Sequence, residues 1–309
     1  MKEAAAGESG SPAPGPHPLH WLRVGLTVLV CLLAWAWLLR HARLDALQSQ
    51  AARLPAWNWF AAAAALLAGH ALRAVRLQRD WRHVAPVRWW DCLRLVLTHN
   101  AMVVMLPLRA GEAAYLWAVR RQWGVGWGPA GLALLRWRVQ DAAVLALLAL
   151  LLLVPLAPGL RLLLAAGAAL LMHLLLPPLW RWLSARAGGA VHAMASPWQG
   201  LPASVGNWTL KVLANGGLLA ALAGLPLADA WRAALGGELA GVQPLQPPAG
   251  LGVYEGGVWL AAGAPPAAVG AVVSAALAVH AFSLAVALGA AALAQLRLPG
   301  STVRKESPS

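Results

Sequence analysis

The chain has 309 residues, 60% of them apolar and only 11% charged, with a mean hydropathy of +0.62. A soluble domain of this length needs more charge, so lipid must be the solvent for most of the chain. The net charge of +13 does not make nucleic acid the expected partner, because the basic residues fall in short connections between apolar runs, as the positive-inside rule describes.

Residues 1–20 are rich in Gly, Ser and Pro and read as a disordered tail ahead of one membrane domain, 21–297, and a C-terminal tail, 298–309. The first apolar run, 22–39, shows no small-x-small cleavage pattern before Arg40 and reads as a retained helix. The next run, 57–72, is extendable through snorkelling Arg73 and Arg76. Further runs near the ~20-residue spanning length lie at 139–157, 160–178, 208–226 and 267–296. Many of the 18 tryptophans, Trp35, Trp57, Trp180, Trp182 and Trp208 among them, flank these runs and read as an interfacial belt.

The connection 73–94 carries six arginines against Asp80 and Asp91, which predicts a cytoplasmic loop, although Arg40, Arg43 and Arg53 in the opposite loop weaken the contrast. Six spans then leave both termini in the cytoplasm. The absence of isoleucine and the scarcity of lysine point to a GC-rich, bacterial genome. Cys31 and Cys92 form neither a disulfide framework nor a metal site.

Two stretches, 92–118 and 231–263, are apolar but interrupted by Pro, Gly and acidic residues. Irregular backbone cannot face lipid, so both read as broken or re-entrant helices inside the bundle. The order span, span, broken segment, span then occurs twice, in 21–157 and 160–297. Three crossings per half invert the second half, the arrangement of inverted-repeat transporters. The expected fold is all-α: about six spanning helices plus two broken segments.

In the first broken segment Arg109 and Glu112 stand three apart and can share a helix face. They either neutralise each other, or Arg109 offers its fork of donors to a lipid phosphate; the two readings stand level. At the third long span Arg136 reads as a snorkelling residue, whereas Asp141 lies deeper, three residues from Arg138, and reads as paired inside the bundle. In the second half the glycine-rich run Pro247-Pro248-Ala249-Gly250-Leu251-Gly252 precedes Glu255 and an apolar helix. Such a turn can present backbone N–H groups to an anion, and close helix packing explains its glycines equally well. Glu238 is a further acid at membrane depth, and Lys211 reads as snorkelling. His70, His99, His173 and His280 are isolated, so neither metal nor cofactor is expected.

Asn100 with Leu106-Pro107-x-Arg109-x-Gly111-Glu112, then Arg138-x-x-Asp141, then Pro248-x-Gly250-x-Gly252-x-x-Glu255, resembles the flippase-like transmembrane region of lysylphosphatidylglycerol synthases over about 22–296. The resemblance implies a multi-pass protein of a bacterial inner membrane that moves, or assists in moving, a charged lipid between leaflets. The expected substrate is a membrane lipid, either a charged phospholipid or a polyprenyl-phosphate-type lipid. It also implies substrate contacts at Asn100, Pro107, Arg109, Gly111, Glu112, Arg138, Asp141, Gly250, Gly252 and Glu255. Family members often carry a basic residue where this chain has Tyr115, so headgroup preference is expected to differ. There is no room for the synthase domain, and no enzymatic activity is expected. Glu112 and Glu255 are expected to share one site, bridged by Arg109, Arg138 or a cationic headgroup. Two other readings stay open. One is a membrane-embedded transferase. The other is a non-transporting subunit of a lipid or glycan assembly complex, working beside a lipid-modifying or glycosyl-transfer enzyme.

Overall fold

The computed structural model describes residues 18–106, 111–186, 198–243 and 247–297; these are mostly helical, joined by short turns, with no strand among them. Helices α1 (Pro18–His41) and α2 (Leu44–Arg53) lead into α3 (Ala56–Trp81). Next come α4 (Trp89–Met105), α5 (Gly111–Trp123), α6 (Trp127–Leu152) and α7 (Pro158–Arg186). The chain ends with α8 (Leu201–Ala223), α9 (Leu227–Gly241), α10 (Val253–Ala262) and α11 (Val269–Arg297).

Helices α3 and α7 and the segment Pro266–Leu296 that contains α11 are long and apolar enough to cross a membrane. A fourth crossing follows if α8 and α9, bent by 120° at their junction, count as one broken span. The expected spans 22–39 and 139–157 fall on α1 and α6. Among the described residues of α1, Val28–His41 is a shorter apolar helix, and α6 carries Arg136, Arg138 and Asp141 near its middle. None of the apolar stretch of α7 is buried in the protein, so its leucines are left for lipid.

Two apolar cores flank the centre of the molecule. One gathers Val212 and Leu219 of α8, Ala233 of α9, Val258 of α10 and Val279 of α11. The other joins Leu77 and Trp81 of α3, Val96 of α4, Tyr115 and Val119 of α5, and Trp137 of α6. Helix α3 contributes to both, through Ala62 at one end and through Ala74, Leu77 and Trp81 at the other.

Both broken segments are interrupted helices, and the residues at each restart explain why. After α4 the backbone of Leu106 is extended (φ −91°, ψ 133°), and helix resumes at Gly111. A β-carbon on Gly111 would lie 2.7 Å from the Met102 carbonyl oxygen, so α5 can fold back against α4 only through a glycine. In the second segment the chain leaves α9 and makes a short 3-10 turn at Pro248–Gly250. It then enters α10 through Gly252 at φ +87°, where a β-carbon would strike the Ala34 backbone of α1. Within that turn lies Ala249 at φ +59°, the one non-glycine residue with positive φ among the described residues.

That position supplies a test. Ala249→Gly should stabilise the protein by about 1 kcal/mol, the scale of the left-handed penalty of an alanine. Gly252→Ala should destabilise it by about 1–3 kcal/mol, the scale of a strained backbone. Thermal unfolding in detergent reads both, and equal midpoints for the two variants would remove backbone strain as the reason for this turn.

The region 73–94 differs from its sequence expectation as a loop. Residues 73–81 continue α3, with Arg76 and Asp80 buried rather than solvated. The tryptophans also divide. Trp35, Trp57 and Trp182 are exposed as belt residues should be, but Trp180 and Trp208 are buried, and each faces a cation, Arg136 and Lys211 respectively.

Candidate functional site

A polar cavity of about 190 Å³ lies where α3, α4, α6, α8, α9 and α11 meet the turn before α10. Its polar lining comes from both halves of the chain: Arg73, Asn100, Arg138 and Asp141 on one side, Asn207, Lys211, Asn215, Glu238, Tyr254 and His280 on the other. Charges inside such a bundle persist only when paired, and the pairing here runs between helices.

On the first side, Arg76 Nη1 donates to Asp141 Oδ1 at 3.1 Å and Arg76 Nη2 donates to Gln140 Oε1 at 2.6 Å. The Ser204 hydroxyl completes the Asp141 cage at 2.5 Å. Arg138 Nη2 lies 2.9 Å from Glu112 Oε1, both side chains partly exposed, and Arg73 Nη1 donates to Asn100 Oδ1 at 3.3 Å. Behind this layer Arg136 pairs with Asp80, whose other oxygen accepts the Trp137 indole N–H at 2.7 Å.

Across the cavity Lys211 Nζ meets Glu238 Oε2 at 2.6 Å, and Asn215 Nδ2 donates to Glu238 Oε1 at 3.1 Å. The Ser283 hydroxyl donates to Asn215 Oδ1 at 3.1 Å. Glu255 is fully buried. It accepts the Gly252 backbone N–H at 2.6 Å and lies 2.7 Å from His280 Nδ1.

Of the residues expected at the site, Asn100, Arg138, Asp141 and Gly250 line the cavity. Gly111 and Gly252 serve the backbone approaches described above, and Glu112 reaches the cavity through Arg138. Glu255 stands behind His280. Pro107 and Arg109 lie outside the described residues.

Several expectations about individual charges are corrected. Arg136 does not snorkel, because Asp80 gives it a buried counterion. Nor do Arg76 and Lys211, which Asp141 and Glu238 hold inward. Asp141 takes Arg76 from α3 and not Arg138 from its own helix. Glu112 and Glu255 meet different partners, Arg138 and His280, while Arg109 lies outside the described residues.

Sequence reasoning missed Asn207, Asn215 and His280 as lining residues. A signal for the first two was present: Asn207, Lys211 and Asn215 recur at four-residue spacing along apolar α8, a polar stripe on one face. Among the described residues no three His, Cys, Asp or Glu side chains are grouped to hold a metal ion.

Among the described residues, fold and site together define an all-helical protein with membrane-capable helices, two of which, α3 and α11, line a cavity that carries paired charges. Comparison with protein families, curated proteins and solved structures finds no match to the chain.

Proposed function

We propose that this chain is a flippase-like, lipid-handling protein of a bacterial inner membrane and not an enzyme. The headgroup of a charged phospholipid or polyprenyl-phosphate-type lipid enters the cavity while its acyl chains remain in the bilayer. One observation carries this reading: Arg73, Arg138 and Lys211 line a cavity among helices that include ones long and apolar enough to cross a membrane. A guanidinium or ammonium group at membrane depth is retained where it meets an anion in transit. The motif resemblance to the flippase-like region supports the same class.

In this proposal six helices cross the membrane, α1, α3 and α6 in one half and α7, α8 and α11 in the other. Both termini lie in the cytoplasm. The interrupted pairs α4–α5 and α9–α10 are the corresponding discontinuous helices of an inverted repeat, each restarting at a glycine beside an acid, Gly111 with Glu112 and Gly252 with Glu255. Arg109, at the first break, offers its fork to the phosphate.

The test is twofold. Lipids retained on the purified protein, identified by mass spectrometry, should be enriched in anionic species over the bulk membrane. Reconstituted liposomes should exchange a fluorescent anionic lipid between leaflets faster than empty ones. Bulk composition on the protein together with background exchange would overturn the proposal.

A further inference from the structure

Three histidines line the cavity, His70, His99 and His280, and they are not equivalent. His99 Nδ1 faces the Gly111 carbonyl at 3.2 Å, and His70 stands one helical turn from the cation Arg73. His280 has a carboxylate: Glu255 Oε1 at 2.7 Å from Nδ1. That acid is fixed in its turn by the Gly252 N–H and by its place in the first turn of α10, where the helix dipole favours negative charge. The Tyr254 ring lies against the imidazole with centroids 4.3 Å apart, which holds the ring plane. Nδ1 is thus committed to the carboxylate, and Nε2 is the nitrogen that remains for the cavity. An imidazole oriented by a carboxylate, with its second nitrogen toward water, is built to exchange protons, and histidine alone has an ordinary titration between pH 5 and 8.

The other charged side chains near His280 are engaged by partners on neighbouring helices. Lys211 of α8 and Glu238 of α9 neutralise each other. Asp141 of α6 is paired with Arg76 of α3, and Arg138 of α6 with Glu112 of α5. Arg73 of α3 is bonded to Asn100 of α4. Helices α1 and α2 meet α11 lower down, where the Arg43 backbone N–H donates to Ser274. An anion entering this cavity therefore meets cations that already hold partners, and one more positive charge strengthens its hold.

We infer that His280, positioned by Glu255, takes up one proton at Nε2 from the cavity water when an anionic phosphodiester headgroup enters, and returns it to water when the headgroup leaves. The imidazolium charge offsets the single negative charge of the phosphodiester, and no covalent bond to the lipid forms. The inference rests on the lipid-handling reading and adds the coupled ion to it. The sign follows: the protonated form holds the anion better, so binding tightens as pH falls.

The measurement is calorimetric titration of the full chain in phosphatidylcholine nanodiscs with dihexanoyl-phosphatidylglycerol, at about pH 5.5 and about pH 8. A phosphodiester keeps its charge across this range, so any pH dependence belongs to the protein. Affinity should be about tenfold tighter at the lower pH, the scale of one added charge in a partly screened site. Buffers of different ionisation heat should report net proton uptake on binding. His280→Gln should remove the pH dependence, His70→Gln and His99→Gln should keep it, and Glu255→Gln, whose amide oxygen can still accept from Gly252, should weaken it. Equal affinity at both pH values, or a dependence that survives His280→Gln, overturns the proton linkage alone. Absence of binding at either pH overturns the lipid reading and the linkage with it. If glycerophosphoglycerol binds as tightly as the lipid, with the same pH dependence, the linkage is supported and the lipid is overturned as the occupant.

Discussion

Asp80→Asn is expected to cost about 3–5 kcal/mol of stability, the scale of breaking a buried ion pair by removing one partner. The Asp80 and Arg136 side chains are at most 2% exposed, so the substitution leaves a guanidinium inside the protein facing a neutral amide. The amide can still accept from the Trp137 indole, which isolates the loss of charge from the loss of the hydrogen bond. Against a typical total of about 5–15 kcal/mol, such a loss is large. Thermal unfolding in detergent micelles, followed by labelling of the fully buried Cys92 thiol, should show an early transition. Asp45→Asn, on exposed α2 surface, should leave it unchanged. The double variant Asp80→Leu/Arg136→Leu should recover much of the loss, because apolar replacement of a whole buried pair is often neutral or stabilising. A single variant as stable as the native chain would mean that water reaches the pair.

The second large effect is expected at Lys211. Lys211→Met should lower leaflet exchange of an anionic lipid about tenfold or more, since it removes a cavity cation and leaves buried Glu238 held by Asn215. Because stability falls too, the decisive variant is the swap Lys211→Glu/Glu238→Lys. It restores a pair with the cation on α9 instead of α8. If the position of the cation matters for the headgroup, the swap should fold and remain slow. Native exchange rates in the folded swap would show that the pair is structural only.

How far the sequence could be read depended on whether a residue's partner was near in the chain. The breaks were legible: Gly111 and the glycine-rich run before Glu255 mark where helix cannot continue. So were the long apolar helices α3, α7 and α11, through composition alone. The charges misled in proportion to the distance of their partners. Asp141 and Arg138 look like an intrahelical pair, yet each is matched from another helix, Arg76 and Glu112. Arg76 and Arg136 at the ends of apolar runs have the signature of snorkelling, and only a fold that brings in Asp141 and Asp80 turns them inward. His280 gave no signal at all, because its carboxylate is 25 positions away on a different helix.

The sharing of α3 between the two apolar cores has a mechanical consequence. Ala62 anchors the helix in one core, and Ala74, Leu77 and Trp81 anchor it in the other. Gly69, His70 and Arg73 line the cavity between these anchors. Helix α6 runs a parallel course, with Val144 and Leu145 in the first core and Ala130 and Trp137 in the second, and it lines the lumen through Arg138 and Asp141. Two struts therefore join the packed blocks, and neither block can turn about one strut without straining the other. At Gly69 a β-carbon would lie 2.9 Å from the Asn207 side-chain oxygen, which leaves α3 no slack against α8.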